Sequence, residues 1–426
     1  MRRVQARSVQ KALLVAFHFP PFKGSSGIER TLGFSRSLSR FGWRNVVLSA
    51  NPRAYPAVSA ERLSDIPDDV IVKRAFALDA SRHFRLAGRY PRWLALPDRW
   101  ITWLVGGVVS GLRMIRREQP AVVWSTYPIA TAHLIGYWLS RLSGLPWVAD
   151  FRDPMVEHDE RSGLDYPRDP YVRRAYLAVE RRAAAQAAAL VFCTRGAARI
   201  FRDRYPEVDE SRIRIIPNGF DEEAFASAPA SPVDAGNSGT IKLLHSGVLY
   251  PGPDRDPTPF LQAVREIVDE NGQWRHRLRI TLRATGHDGH FEPIIRGLGL
   301  EDMVSFAPML PYREALAEML SADTLLVFQG HTSNPAIPAK LYEYFRAARP
   351  ILALVDAEGD TAALLREEGV GHVLQIDDSA AIARGLAVFL HDLTAGKIPV
   401  MSPERARSFE RGMRAGDLAA LFDELT

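Results

Sequence analysis

Short, uninterrupted apolar runs alternate with longer apolar or amphipathic stretches along most of the chain. Ala12-Leu13-Leu14-Val15-Ala16-Phe17, Val46-Val47-Leu48, Ala121-Val122-Val123-Trp124 and Leu190-Val191-Phe192-Cys193 read as strands buried on both faces. Residues 28–41, 130–142, 171–189 and 197–205 read as the helices between and after them. The alternation resumes with strands at 241–247, 278–284, 303–308, 324–328, 351–355 and 373–376, and helices at 258–270, 312–320, 362–368 and 379–390. Strands buried on both faces, each followed by a helix, predict parallel sheets covered by helices, the α/β class. A chain of 426 residues is long enough for two such units, each with its own core. Residues 222–239, dense in Ala, Pro, Ser, Gly and Asp, read as the linker. The expected layout is a doubly wound, Rossmann-like domain over 1–221, a second over 240–402, and terminal helices over 403–426.

Composition changes this picture little. Hydrophobic residues make up 46% and charged residues 24%, which is ordinary for a globular protein. The formal net charge of +4 is only mildly basic, and lysine occurs only at 11, 23, 73, 242, 340 and 397, so the positive residues are mostly arginine. No nucleic-acid partner follows from that. Cys193 is the only cysteine, which excludes an internal disulfide and fits a reducing cytoplasm. The apolar run after the basic residues 1–10 stops at His18 and Pro20-Pro21, too short and badly flanked for a signal peptide. No apolar run reaches the roughly 18 residues of a spanning helix. Residues 52–99 are irregular and rich in Pro and Arg, and 101–114 are apolar. Trp93, Trp100 and Trp103, interleaved with Arg85, Arg89, Arg92 and Arg99, read either as a membrane-interface patch or as a packed helix among solvated arginines.

Candidate chemistry gathers where strands end. Thr324-Leu325-Leu326-Val327-Phe328 leads to Asn334-Pro335-Ala336-Ile337-Pro338-Ala339-Lys340-Leu341-Tyr342-Glu343-Tyr344-Phe345, then Arg349-Pro350 and a further strand. Pro338 suits the first turn of a helix. Lys340 and Glu343, three apart, share one helix face. Helix-start amides with a lysine suit a diphosphate, and a carboxylate suits ribose hydroxyls. The plain alternative is a surface helix with a Lys–Glu pair. Gly247 opens a loop with Arg255 that leads into a helix at 258, a suitable pyrophosphate cradle. Asp254 and Asp256 spell Asp-x-Asp, a common tripeptide, and His287 and His290 flank Gly289 without an evident third ligand, so no metal site is expected. Asp150, Arg152 and Asp153 end a strand where doubly wound sheets place ligands. They read as catalytic, or as an Arg–Asp cluster that fixes its own loop. The loop Gly24-Ser25-Ser26-Gly27 opens a helix but lacks the Gly-x-Gly-x-x-Gly spacing, which argues against a nicotinamide or flavin cofactor. His133, alone in an apolar helix, reads as structural.

The segments 147–154, 213–221, 247–257 and 335–350 resemble the family-4 glycosyltransferases, in the branch whose motif reads Pro-x-Lys-Leu-Tyr-Glu-Tyr. The resemblance implies the GT-B fold: two Rossmann-like domains facing a cleft, acceptor side first and donor-nucleotide side second, with the terminal helices crossing back to the first domain. It implies a retaining, metal-independent transfer of a hexose from a nucleoside-diphosphate sugar to a glycan or lipid-linked acceptor in polysaccharide assembly. The protein is then expected in the cytoplasm, peripheral at the inner face of the membrane. Donor binding falls to Gly247, Arg255, Lys340 and Glu343, with Pro311 and Ile337 beside the nucleotide. Gly24, Ser25, Ser26 and Gly27 form a cleft loop. Two departures stand out. The family signature carries two glutamates eight positions apart; Glu343 fits the second, but Pro335 holds the first position. Arg152 stands near where other members carry a histidine facing the sugar. A sugar-nucleotide epimerase, or an inactive glycan-assembly scaffold, is the rival reading.

Overall fold

The computed structural model describes residues 9–24, 27–85, 89–229 and 239–426. The chain divides into two compact units, residues 1–218 with 411–426, and residues 219–410.

In the first unit, β1 (Gln10–Val15), α1 (Gly27–Ser37), β2 (Trp43–Ala50) and β3 (Ile71–Ala75) are followed by α2 (Trp103–Glu118), β4 (Val122–Thr126) and α3 (Ala130–Ser143). Then come β5 (Trp147–Arg152), α4 (Pro170–Gln186), β6 (Ala189–Phe192) and β7 (Ile213–Ile215). The seven strands form one parallel sheet in the order β3-β2-β1-β4-β5-β6-β7. Side chains alternate across a strand, so β1 sends Leu13 and Val15 into one core and Ala12 and Leu14 into the other. Trp103 of α2 and Ile135 of α3 complete the first core. Leu32 and Phe34 of α1 complete the second, with Leu418 and Phe422 of the C-terminal helix Arg411–Leu425. Trp43 packs edge-on to Phe422, ring centroids 5.2 Å apart, and donates from its indole nitrogen to Asp423 at 3.1 Å.

The second unit runs β8 (Ile241–Ser246), α5 (Thr258–Glu270), β9 (Leu278–Arg283), β10 (Val304–Ala307) and α6 (Tyr312–Ser321). It continues with β11 (Thr324–Gln329), α7 (Ala339–Ala347), β12 (Ile351–Val355), β13 (His372–Leu374) and α8 (Ser379–Thr394). Its parallel sheet has the order β10-β9-β8-β11-β12-β13. Leu326, Phe328, Leu352 and Leu354 face α5 and α8, while Leu325, Val327, Ile351 and Ala353 face α6 and α7. Each such fully buried Leu, Val, Ile or Phe side chain contributes about 1.5–3 kcal/mol relative to exposure.

Both sheets share one winding: the chain moves outward from the first strand, then returns to its other side. The point of return lies between β1 and β4 in one unit and between β8 and β11 in the other, and ligands of such sheets bind beyond the strand ends there.

Four sequence expectations change. The stretch 52–99, read as irregular, holds the edge strand β3, Ile71–Ala75. The first helix ends at Ser37; a 3-10 turn, Leu38–Phe41, follows, and Gly42 leaves it with φ +85°. The expected linker begins as a helix, Glu222–Ala226, whose Phe225 lies in a core of the second unit; residues 230–238 lie outside the described residues. Residues 219–221, expected in the first domain, and 403–410, expected with the terminal helices, belong to the second unit.

Candidate functional site

In the second unit, β8 ends at Ser246 and Gly247 turns away with φ +133°, a conformation few other residues tolerate. A β-carbon on Gly247 would stand 2.7 Å from the Lys340 Nζ. The helix α7 therefore sets the Lys340 ammonium directly over the end of β8, at the point where the winding reverses. Pro338 is the residue before the helix, one position earlier than expected, with ψ 130°. Burial, then the charge of Arg255, lowers the Lys340 pKa to about 7, against the opposing pull of Glu343.

Arg255 lies in the loop after β8. Its Nε is 3.3 Å from the Asp254 carboxylate, and its guanidinium lies over the Tyr250 ring at 5.6 Å. The loop is fixed at both ends. Gly330, just after β11, donates to the Asp254 carbonyl, and a β-carbon there would stand 1.8 Å from the Pro253 oxygen. Asp256 accepts from the backbone of Gly252 at 3.1 Å and of Thr258 at 2.9 Å. It thus folds the loop and ties it to Thr258, the first residue of α5.

Glu343 accepts from the Tyr312 hydroxyl at 2.7 Å. Pro311 precedes α6 and Ile337 packs partly buried against the core beneath α7. The loop between β11 and α7, which carries Pro335, is held from below. Gln329 donates from its side-chain amide to the carbonyls of Ser333 at 2.7 Å and Ala336 at 2.9 Å, and Thr361 bonds the same side chain. Gln329 and Tyr312 carry no pattern that sequence reading picks out; only the tertiary contacts reveal them.

In the first unit, the strand ends of β1, β4 and β5 gather a second cluster. Asp150, expected to be catalytic, is fully enclosed. Arg30 of α1 binds its carboxylate at two points, 2.9 and 2.8 Å, and Thr126 donates to it at 2.9 Å. Arg30 also donates to the carbonyls of Ile216 at 3.0 Å and Pro217 at 3.2 Å. This correction has a plain cause: with its oxygens occupied by two donors inside the core, Asp150 anchors α1 and the segment after β7.

Arg152 and Asp153 are placed differently. The register of β5 shifts between Asp150 and Arg152, and Arg152 takes φ +63°, a strained value for a non-glycine residue. Arg152 is 9% exposed, and its Nε is buried without a hydrogen-bond partner. Its Nη1 reaches the Tyr127 carbonyl only at 3.5 Å. Burial raises the Asp153 pKa, against the pull of Arg152 and Arg30. Burial, then the charge of Arg152, lowers His18 to about 3. Burial, then the charge of Asp153, raises Glu157 to about 7. His18 and Glu157, missed in the sequence, thus complete the surroundings of Arg152 and Asp153. His133 bonds Ser125 at 2.8 Å inside the core. Gly24 has φ +100° and Gly27 begins α1; Ser25 and Ser26 lie outside the described residues.

The tryptophan stretch divides. Trp103 is fully buried, and Trp100 donates to the Ala54 carbonyl at 3.0 Å. Arg92 pairs with Asp169 and Arg99 with Asp79. Trp93, 70% exposed, is the tryptophan of the three that faces solvent, with Val105 and Val109 exposed on α2. Among the described residues no helix is long and apolar enough to cross a membrane, and no group of three or more His, Cys, Asp and Glu is placed to hold a metal ion.

Residues 26–219 match the glycosyl transferase 4-like domain family. The domain spans the Arg30–Asp150 anchor and the Arg152 bulge. D-inositol 3-phosphate glycosyltransferase of Kineococcus radiotolerans is 25% identical over 228 residues, which cover 50% of this chain and about half, 49%, of that protein. A glycosyltransferase from Rickettsia africae superposes with a TM-score of 0.67 at 11% identity, over 98% of both chains. Anabaena HepE in complex with UDP and glucose superposes with a TM-score of 0.64 at 15% identity, over 98% of this chain and 100% of that one. The two Rossmann-like sheets are those of the GT-B fold.

Proposed function

We propose that the protein is a glycosyltransferase that moves a sugar from a nucleoside diphosphate to an acceptor hydroxyl. The observation that carries this is the Lys340 ammonium set over Gly247 at the reversal point of the second sheet. A cation there, with Arg255 in the adjoining loop, suits the leaving diphosphate. HepE, which shares the fold, has been seen with UDP and UDP-glucose. In the reaction, the bond from the anomeric carbon to the diphosphate oxygen breaks, and its electron pair stays on the diphosphate. The acceptor oxygen bonds the same carbon on the same face, so configuration is retained. The acceptor proton passes to a general base, a role that falls to the Asp153 carboxylate in this reading. Lys340 and Arg255 stabilise the charge that grows on the leaving group, and exclusion of water keeps it from competing as acceptor. Glu343 binds the ribose, with Pro311 and Ile337 beside the base. Arg152 orients a hydroxyl or phosphate of the acceptor, a glycan or lipid-linked chain in polysaccharide assembly.

The test is mass spectrometry of nucleotides retained on the purified protein, followed by transfer assays with a panel of nucleoside-diphosphate sugars. Transfer with retained configuration supports the reading. Donor binding without transfer or hydrolysis favours the inactive scaffold that Pro335 suggests, and release of epimerised donor without acceptor favours an epimerase.

A further inference from the structure

His245 lies one residue before the end of β8 and is completely enclosed. Its Nδ1 is 3.0 Å from the carbonyl oxygen of Leu326 on β11. A carbonyl only accepts, so Nδ1 carries the proton and Nε2 presents a lone pair. That lone pair is 3.4 Å from Nζ of Lys340. The ring of Phe328 packs edge-on to the imidazole, centroids 5.1 Å apart, which fixes the ring plane.

We propose that His245 is a positioning residue for Lys340, holding the ammonium over Gly247 and keeping the proton on it. The donor direction is settled by charge. Burial, then the neighbouring Lys340, pushes the imidazole pKa well below 6.5, against the backbone bonds to Leu326 and Gly247, so the ring stays neutral, and with Nδ1 donating to Leu326 it meets Lys340 as an acceptor. Two other charged groups bear on the ammonium. Arg255, from the loop after β8, repels it; Glu343, on the same helix, attracts it. The Tyr344 hydroxyl is directed to the Leu326 carbonyl at 3.3 Å. With burial and Arg255 both favouring loss of the proton, a neutral acceptor on the strand below offsets them without adding a charge that would bind diphosphate poorly. The role as a donor-site group rests on the proposed function; the effect on the Lys340 proton does not.

The experiment separates the two. Trace acetylation across a pH series, read by mass spectrometry of the Lys340 peptide, gives the midpoint of Lys340 in ligand-free protein. His245→Leu removes the acceptor; His245→Gln keeps an oxygen near the place of Nε2. The Leu variant is expected to lower the midpoint by about one pH unit, a tenfold change in proton affinity, and the Gln variant to restore it. UDP affinity should fall about tenfold in the Leu variant near pH 7.5 and recover near pH 6, with UMP affinity unchanged. An unshifted midpoint in the Leu variant overturns the proposal. A shifted midpoint in a protein whose parent form ignores UDP supports the positioning role and counts against the proposed function instead. If the Leu variant does not fold, His245→Asn replaces it. Asn places its oxygen near Nδ1, so a midpoint below that of the Gln variant supports the proposal and equal midpoints overturn it.

Discussion

Arg30 and Asp150, 120 residues apart in sequence, meet in a two-point ion pair at 2.9 and 2.8 Å with neither residue more than 5% exposed. Removing one member of such a pair leaves a buried charge uncompensated, at about 3–5 kcal/mol. Asp150→Asn is therefore expected to lower the urea midpoint sharply, with activity per folded molecule little changed. A normal midpoint with lost turnover would return Asp150 to the catalytic set.

Asp153→Asn should behave in the opposite way. Among the described residues nothing donates to its carboxylate, and the side chain is only partly enclosed. Turnover is expected to fall by about 10²–10⁴, the usual worth of a general base, while donor affinity and melting temperature stay near those of the parent. A large melting drop with normal specific activity would make it a structural residue.

Glu343→Gln is expected to weaken UDP binding by about 1.5–3 kcal/mol, the cost of a charge-assisted hydrogen bond. Tyr312→Phe, which removes the hydroxyl 2.7 Å from the same carboxylate, should cost about 0.5–1.5 kcal/mol. Calorimetry that shows parent-like affinity in the Gln variant would leave Glu343 as an ordinary surface carboxylate.

Lys340 gives the donor affinity a pH dependence with a definite sign. Its pKa is lowered to about 7, so the charged form prevails below that pH and is lost above it. Bound diphosphate favours the charged form. Affinity for UDP should therefore be steady below about pH 7 and fall by up to tenfold per unit above it, while UMP affinity changes much less. Lys340→Ala should flatten the profile; a profile that survives the substitution assigns the titration elsewhere.

The exposed Trp93 with Val105 and Val109 gives the membrane reading a narrower form. Co-sedimentation with anionic vesicles at low salt should be reduced by Trp93→Ala and by Val105→Ser with Val109→Ser, without loss of melting temperature. No co-sedimentation of the parent leaves these side chains as scattered surface apolars.

What was legible in the sequence is the set of features carried by neighbours in the chain. Most strands of the two sheets are read directly from apolar runs, because parallel strands buried on both faces have no polar alternation to confuse them; β3, a half-exposed edge strand within the stretch 52–99 read as irregular, is not. Lys340 and Glu343 are legible because three residues of helix put them on one face. Arg30, His245 and Gln329 are not, since each takes its meaning from partners on another element. Arg30 looks like any arginine between Ile28 and Leu32 until β5 is folded beneath it. Trp103 misled for a related reason: beside arginines it reads as interfacial, and only the glycines of α2, which let Ile135 and Leu139 of α3 close in, bury it.

The helix Arg411–Leu425 lines the same core as Trp43, Leu32 and Phe34, and at Gly33 the chain leaves room only for the stem of Arg411. A ribosome delivers that helix after the whole of Gly219–Glu410. The second unit can thus complete its core during synthesis, while the first waits, with one apolar face open, until the chain has been made through residue 425. Residues 1–218 cut out as a separate fragment inherit the same open face.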